Sequence, residues 1–257
     1  MSLERAAVSA PSGDGEAGAE LTVERFGNVL RLRLNRPARA NGLDASIVDR
    51  MAEAVAGAAH DGARVLVLEG AGRHFCSGFD LSDLDGISEG DLALRFLRIE
   101  LLLQAIYHAP MRTVALAQGC AFGAGADLFC ACAHRIAAPD ARFRFPGPRF
   151  GVVLGTGRLR RCVGESVAQE LLLGGREFDA AQALQAGLAT EILEPKDWPG
   201  RLAELDGVDG IVSAETSAAI LDVVREERGA IDLAALARSV AAAGFKQRVL
   251  RYRDSRR

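Results

Sequence analysis

Three features of the 257-residue sequence predict an α/β fold with a helical end. Short apolar runs of strand length alternate with longer helix-period runs between Leu21 and Leu193. Two of the strand runs, "RVLVLEG" and "TVALAQG", end in glycine, the pattern of buried parallel strands. Beyond Pro195 only helical patterning remains. Strands that alternate with helices pair in parallel through right-handed crossovers.

Taken in order, "LTVERF" and "VLRLRL" flank Gly27 and Asn28 and predict a two-strand hairpin. Asp44 is placed to cap a helix running to about Ala59, with Ile47, Val48, Met51 and Val55 on one face. The strand Arg64 to Gly70 follows, then a helix through "LALRFLRIELLLQAIYHA" that Pro110 ends. Next come the strand "TVALAQG", a helix through "GADLFCACA", and strands at "HRIAAP" and "ARFRF". Helices are expected over Glu165 to Leu173 and Ala180 to Ala186, with a last strand at "LATEIL". Three helical stretches close the chain: "PGRLAELDG", "SAETSAAILDVVREERG" and "IDLAALARSVAAAGFKQRVLRYR". This end is too apolar to stand free, so it is expected to pack on a neighbouring subunit or on its own core. The division is a flexible N-terminal tail over 1–19, a core over 20–194 and a helical region over 195–257.

Composition narrows the function. Hydrophobic residues make up 49%, enough for a sizeable core. A net charge of −3 argues against nucleic acid as the main partner, although basic residues cluster at "GRLRRCVG" and "FKQRVLRYRDSRR". A solvated helix face or a site for an acidic ligand accounts for each cluster better. No apolar run reaches membrane-spanning length. The five cysteines form no CxxC pair and have no matching histidine spacing, so reduced thiols in a cytoplasmic protein, with no metal site, are expected.

Four loops are candidates for chemistry, because ligands of parallel sheets bind where strands end. They are Asn35 to Asp44, Gly72 to Leu84, Gly119 to Cys130 and Phe145 to Gly157. "GAGRHF" and "GTGRLR" lack the last glycine of a dinucleotide fingerprint, which weakens a nucleotide-dependent oxidoreductase; no Walker loop or nucleophile elbow is present. In "SGFD" and "FGAGAD" small residues let main-chain N–H groups approach a ligand closely. If the second opens a helix, its unbonded N–H groups favour negative charge, and two such donors meeting at one point make an oxyanion hole. Tight helix–strand packing through glycine is the alternative. Asp127 is the one charge in its segment. Desolvation there raises its pKa and a helix N-terminus lowers it; an N-terminal residue that merely satisfies free N–H groups is the plainer role.

These four loops, in this order, resemble those of the crotonase, or enoyl-CoA hydratase/isomerase, family. "NRPARANGLD", "FCSGFDL" and "GCAFGAGADLFCACAHRIAAPDARFRFP" carry the resemblance, with "VGESVAQELLLGGREFDAAQALQAGLATEI" behind them. It implies a repeated ββα core with C-terminal helices that drive trimer formation, as a homotrimer or a dimer of trimers. It also implies an acyl-CoA thioester substrate, with coenzyme A entering only as part of that substrate and no separate cofactor. By position the oxyanion donors fall on the amides of Phe79 and Ala124. Arg36, Arg39, Ala40, Ser77, Gly78, Asp80, Leu81 and Gly123 fall on the CoA-binding loops, Arg36 or Arg39 near a phosphate and Asp80 in a structural role. The family's two catalytic glutamates match Asp127 and Gly147. With the second carboxylate missing, single-proton chemistry such as isomerisation is expected over efficient hydration. A catalytically silent acyl-CoA-binding or assembly subunit is the alternative.

Overall fold

The computed structural model describes residues 19–207 and 212–255; residues 1–18 of the expected tail over 1–19 lie outside them. The predicted hairpin forms from β1 (Leu21–Phe26) and β2 (Val29–Leu34), antiparallel from Leu21 opposite Leu34 to Phe26 opposite Val29. Asp44 caps α1 (Ala45–His60), accepting from the Ile47 amide at 2.8 Å. The chain returns as β3 (Val65–Gly70), parallel to β2. Its successive side chains face two different cores. Leu66 and Leu68 join the main cluster, whereas Val65 and Val67 pack with Trp198 and Leu205. A strand buried on both faces gains by being apolar throughout, which is why no alternation marks it.

A Ser88–Asp91 capping box starts α2 (Glu89–Tyr107), and His108 closes it just before Pro110. There follow β4 (Arg112–Ala117), β5 (Cys120–Phe122), α3 (Ala124–Ala131), β6 (His134–Ala137), β7 (Arg142–Arg144), α4 (Thr156–Gly174), β8 (Glu177–Asp179), α5 (Ala180–Gln185) and β9 (Glu191–Ile192). The larger sheet has the order β1-β2-β3-β4-β6-β9 and the smaller β5-β7-β8. Each ββα turn after α2 therefore gives one strand to each sheet, and the coil advances sideways by one strand per turn. Isolated bridges, Leu43 to Phe79 and Cys76 to Ala121, carry the smaller sheet's direction back into the first two loops.

The C-terminal region contains α6 (Trp198–Gly207), α7 (Ala214–Val224), α8 (Gly229–Val240) and α9 (Phe245–Asp254). The long helix expected over "IDLAALARSVAAAGFKQRVLRYR" is broken, because Gly244 adopts φ +71° and turns the chain into α9. The helix expected through "VVREERG" stops at Val224, where Arg225 becomes extended and donates to the carbonyls of Ala109 and Met111. The helix expected from Glu165 begins earlier, at Thr156, with a kink at Gly164. Strands β5 and β8, three residues each, were too short to stand out in the sequence. Among the described residues no helix is long and apolar enough to cross a membrane.

Asn41 ties the first loop to the second. It is fully buried with φ 55°, a region asparagine tolerates better than most residues. Its Nδ2 donates to the carbonyls of Ala71 (2.9 Å) and His74 (2.6 Å), and its Oδ1 accepts from the Arg36 amide at 2.9 Å. Replacing it strands one buried and two partly buried backbone groups, and a buried one left unsatisfied costs about 1–3 kcal/mol. Asn41→Ala is expected to lower stability by at least about 2 kcal/mol, measured by urea denaturation; a change below about 0.5 kcal/mol would contradict the clamp.

Candidate active site

The second loop is laid down beside β5 by main-chain bonds. The Cys76 amide donates to Cys120 O (3.0 Å), and the Phe122 amide donates to Cys76 O (2.9 Å). Three residues on, the loop faces the other way and meets the first loop. The Leu43 amide donates to Gly78 O (2.8 Å), and the Asp80 amide to Leu43 O (2.9 Å). In a trans peptide the C=O and N–H point in opposite directions. Since Gly78 C=O faces Leu43, the Phe79 N–H faces away from the first loop, toward β5 and α3.

What lies there is the start of α3. Gly123, with φ 53°, ends β7's partner strand and opens the helix, so the amides of Ala124 and the next residues have no carbonyl one turn back to reach. Gly78 makes the close approach possible. At its φ of +92°, an added Cβ would stand 2.5 Å from Phe122 O and 3.1 Å from Ala124 N. Any side chain there would push the two turns apart. Among the described residues, neither the Phe79 nor the Ala124 amide is hydrogen-bonded to a protein acceptor. Two unbonded donors, one aimed toward a turn it touches and one at a helix N-terminus, create a locally positive spot.

Both residues line a cleft of about 570 Å³, part of it open to solvent. Ser77, Leu81, Gly123, Asp127 and Gly147 line it too, and among the described residues Asp127 is the only acid in its lining. The other walls are apolar: Phe79 stacks on Phe96 of α2 at 4.6 Å, and Phe150 lies 4.8 Å from Tyr252 of α9. Gly147 has little room beside it, since an added Cβ would stand 3.2 Å from Val152 O.

Asp127 is one turn into α3 and only 4% exposed. Its Oδ1 is buried without a hydrogen-bond partner, and the bare backbone of Gly155 (φ +65°) rests directly against the carboxylate. Burial pushes its pKa well above the usual carboxylate range; Arg158 opposes this and Glu100 reinforces it. Desolvation, one of the two opposing effects expected from the sequence, is the largest influence on this carboxyl. Behind Asp127, buried Arg158 pairs with buried Glu100 and lies 3.8 Å from Asp232. Gln104 Nε2 donates to Glu100 Oε1 at 2.9 Å. Three carboxylates thus share one interior arginine. Asp127 has the fewest partners of the three.

Other residues singled out in the sequence fall into separate places. Arg36 is held inward by Glu20 (2.9 Å), Asp44 (3.2 Å) and Asp80 (3.0 Å), while Arg39 is exposed. Asp80 also accepts from the Ser82 amide at 3.0 Å, a local bond of the kind expected. Ala40 O accepts from the Ser77 amide at 2.9 Å, joining the two loops. His74 accepts from the Cys120 amide through Nδ1 and does not line the cleft. Arg158 belongs to the basic cluster read from the sequence as a solvated helix face or a site for an acidic ligand; it is buried, which rules out the solvated face for this residue. Glu100 escaped notice, although an acid inside "RFLRIELLLQAIY", on the face of Phe96 and Leu103, was the available signal. Among the described residues no group of three or more His, Cys, Asp or Glu is placed to hold a metal ion.

This fold and site define a class of proteins. The family model described as enoyl-CoA hydratase/isomerase matches residues 24–198. A Mycobacterium tuberculosis protein named probable enoyl-CoA hydratase echA6 is 34% identical over 183 residues, 69% of this chain and 73% of its own length. The Escherichia coli 2,3-dehydroadipyl-CoA hydratase is 37% identical over 187 residues, 70% of this chain and 71% of its own. Among solved structures, a Bordetella parapertussis protein proposed to be an enoyl-CoA hydratase/isomerase superposes with a TM-score of 0.89 at 41% identity, covering 91% of this chain and 98% of its own. The chain belongs to the enoyl-CoA hydratase/isomerase family, and its α/β core with C-terminal helices is the crotonase fold.

The raised pKa of Asp127 has a consequence for stability. Above 3.8 the unfolded carboxyl releases its proton while the folded one retains it, so stability falls as pH rises toward the folded value. Asp127→Asn removes that loss and is expected to melt at a higher temperature than wild type at pH 8, with a smaller gap at pH 4. Equal melting temperatures at both pH values would show that burial does not penalise the carboxylate. Removing the charge of Glu100 takes away one raising influence and leaves Arg158 to face Asp127. In Glu100→Gln the titration of Asp127, followed by infrared difference spectroscopy against Asp127→Asn, is expected to move to lower pH.

Proposed function

We propose that the protein binds an acyl-CoA thioester with its carbonyl oxygen between the amides of Phe79 and Ala124, and that Asp127 carries the single proton of an enolate reaction. The observation that supports this most is the packing of Gly78 against Ala124 N, which sets two unbonded amides beside one buried carboxylate. Two main-chain donors lower the energy of an enolate because negative charge grows on the oxygen they face; losing one such donor costs about 10²–10³ in rate. Since main chain supplies both, the side chains of Phe79 and Ala124 are left to shape the wall.

Isomerisation moves one proton from one carbon to another, and one carboxylate serves for both transfers. A base whose pKa has risen toward the working pH accepts a carbon-bound proton more readily than an ordinary aspartate. Hydration asks for a second group to activate water. The place the family gives that group is Gly147 here, and among the described residues Asp127 is the only acid lining the cleft. We therefore favour isomerisation or a related single-proton reaction. The apolar, aromatic walls suit a hydrophobic acyl group. Arg39, Ala40, Ser77, Gly78, Leu81 and Gly123 then border the path of the CoA arm, with Arg36 and Asp80 locked together to hold its shape. The reading places the enzyme in the cytoplasm, where reduced cysteines are the rule.

A homotrimer, or a pair of them, completes this reading. Ile220, Val223 and Val224 leave α7 exposed at 50%, 84% and 69%. Apolar groups so placed suit burial against a second copy.

Assay of the purified protein with a panel of enoyl-CoA thioesters tests the proposal. Isomerisation is expected to exceed hydration, and Asp127→Ala is expected to lower turnover by about 10²-fold or more. Turnover unchanged in Asp127→Ala would remove Asp127 from the mechanism. Thioester binding by calorimetry without turnover of any substrate would instead favour a silent binding subunit, the reading that Gly147 also motivates. Gly147→Glu restores a carboxylate at that wall and is expected to raise hydration by about tenfold or more, within the range of general acid–base assistance.

A further inference from the structure

Cys130 and Cys162 stand out from the other thiols by touching each other. Cys130 is in the last turn of α3 and is buried; Cys162 is on α4 and half-buried. Cys162 Sγ lies 3.8 Å from Cys130 O and donates to it. The Arg161 guanidinium lies 4.0 Å from Cys162 Sγ and donates to Cys130 O at 3.2 Å, bringing a positive charge to the pair. None of the five cysteines is in a disulfide.

We propose that Cys130 and Cys162 form a peroxide-responsive dithiol, in which Cys162 is the nucleophile and Cys130 closes a disulfide between α3 and α4. The asymmetry of the pair assigns the roles. The neighbouring Cys130 side chain holds the Cys162 thiol below its ordinary range, helped by Arg135 and Arg161, while burial works against it. Cys130, beside Cys162 and buried, is pushed the other way. Thiolate character and partial exposure together govern which cysteine reacts. Burial pushes Cys76 and Cys132 up to about 12, which keeps them protonated and inert.

In the first step the Cys162 thiolate attacks one oxygen of hydrogen peroxide. The O–O bond breaks, hydroxide leaves, and Cys162 becomes a sulfenic acid. In the second step the Cys130 sulfur attacks the Cys162 sulfur; the S–O bond breaks and the hydroxyl departs as water with the Cys130 proton. Two thiols are oxidised by two electrons and one peroxide is reduced. The new bond joins α3 three residues beyond Asp127 to α4 four residues beyond Arg158, so it crosslinks the two helices that frame the buried carboxylate.

Full-length protein treated with one to a few equivalents of hydrogen peroxide, then blocked with N-ethylmaleimide and digested, tests this. The expected product is one linked peptide pair containing Cys130 and Cys162, released by dithiothreitol and absent from Cys162→Ser. Cys130→Ser should stop at a dimedone-reactive sulfenic acid on Cys162. At pH 7, Cys162 should be alkylated by iodoacetamide at least about tenfold faster than Cys76 or Cys132 in the untreated protein. Overoxidation of wild-type Cys162 without the linked pair, pairing that favours Cys120, or alkylation of Cys162 no faster than that of the buried thiols would each overturn the proposal.

Discussion

The absence of a side chain at Gly78 is the constraint on which the site depends. It allows one strand-like loop to press against the turn that opens α3, with the Phe122 carbonyl and the Ala124 nitrogen at contact distance. The loop's direction is set by bonds on both sides, to Leu43 and to Cys120 and Phe122, so the orientation of the Phe79 amide follows from the ladder. The fold then adds what a ladder cannot. A helix starting at the right place leaves its own first amides unbonded, at the end where negative charge is favoured. The donors are therefore preorganised by backbone geometry, which substitution of their side chains need not disturb.

The second feature works against stability. Asp127, Glu100 and Asp232 gather around Arg158 in the interior, where each uncompensated charge is costly. Glu100 and Arg158 answer one another, with Gln104 completing the hydrogen bonding of Glu100. Asp127 is left with the apolar cleft on one side and the bare backbone of Gly155 on the other. A carboxyl so placed holds its proton longer than an exposed one and binds one more strongly. The cost of burying charge is thus concentrated on a single side chain.

Much of this was legible in the sequence, for identifiable reasons. Long, one-sided apolar periods such as Ile47, Val48, Met51 and Val55 of α1 announce themselves, as does the hairpin about Gly27 and Asn28. The four loops were recognisable as an ordered set, and the structure brings residues from three of them into one cleft: Ser77, Phe79 and Leu81; Gly123, Ala124 and Asp127; and Gly147. Of the small sheet only β7 showed through, as "ARFRF"; β5 and β8, three residues each, carry too little period to register. Nor was the fate of the arginines. Arg36 and Arg158 look alike in sequence to any surface cation, and only the fold reveals that carboxylates from distant segments surround them. The wall contributed by Phe96 and Tyr252 joins residues 156 positions apart, a distance that local pattern cannot span.

A crystal structure with a bound acyl-CoA or a stable enolate mimic tests the central claim most directly. The account predicts the thioester oxygen within about 3 Å of both the Phe79 and Ala124 nitrogens, with the α-carbon turned toward Asp127. A ligand seated in the cleft with that oxygen on neither amide, or facing solvent, would contradict it.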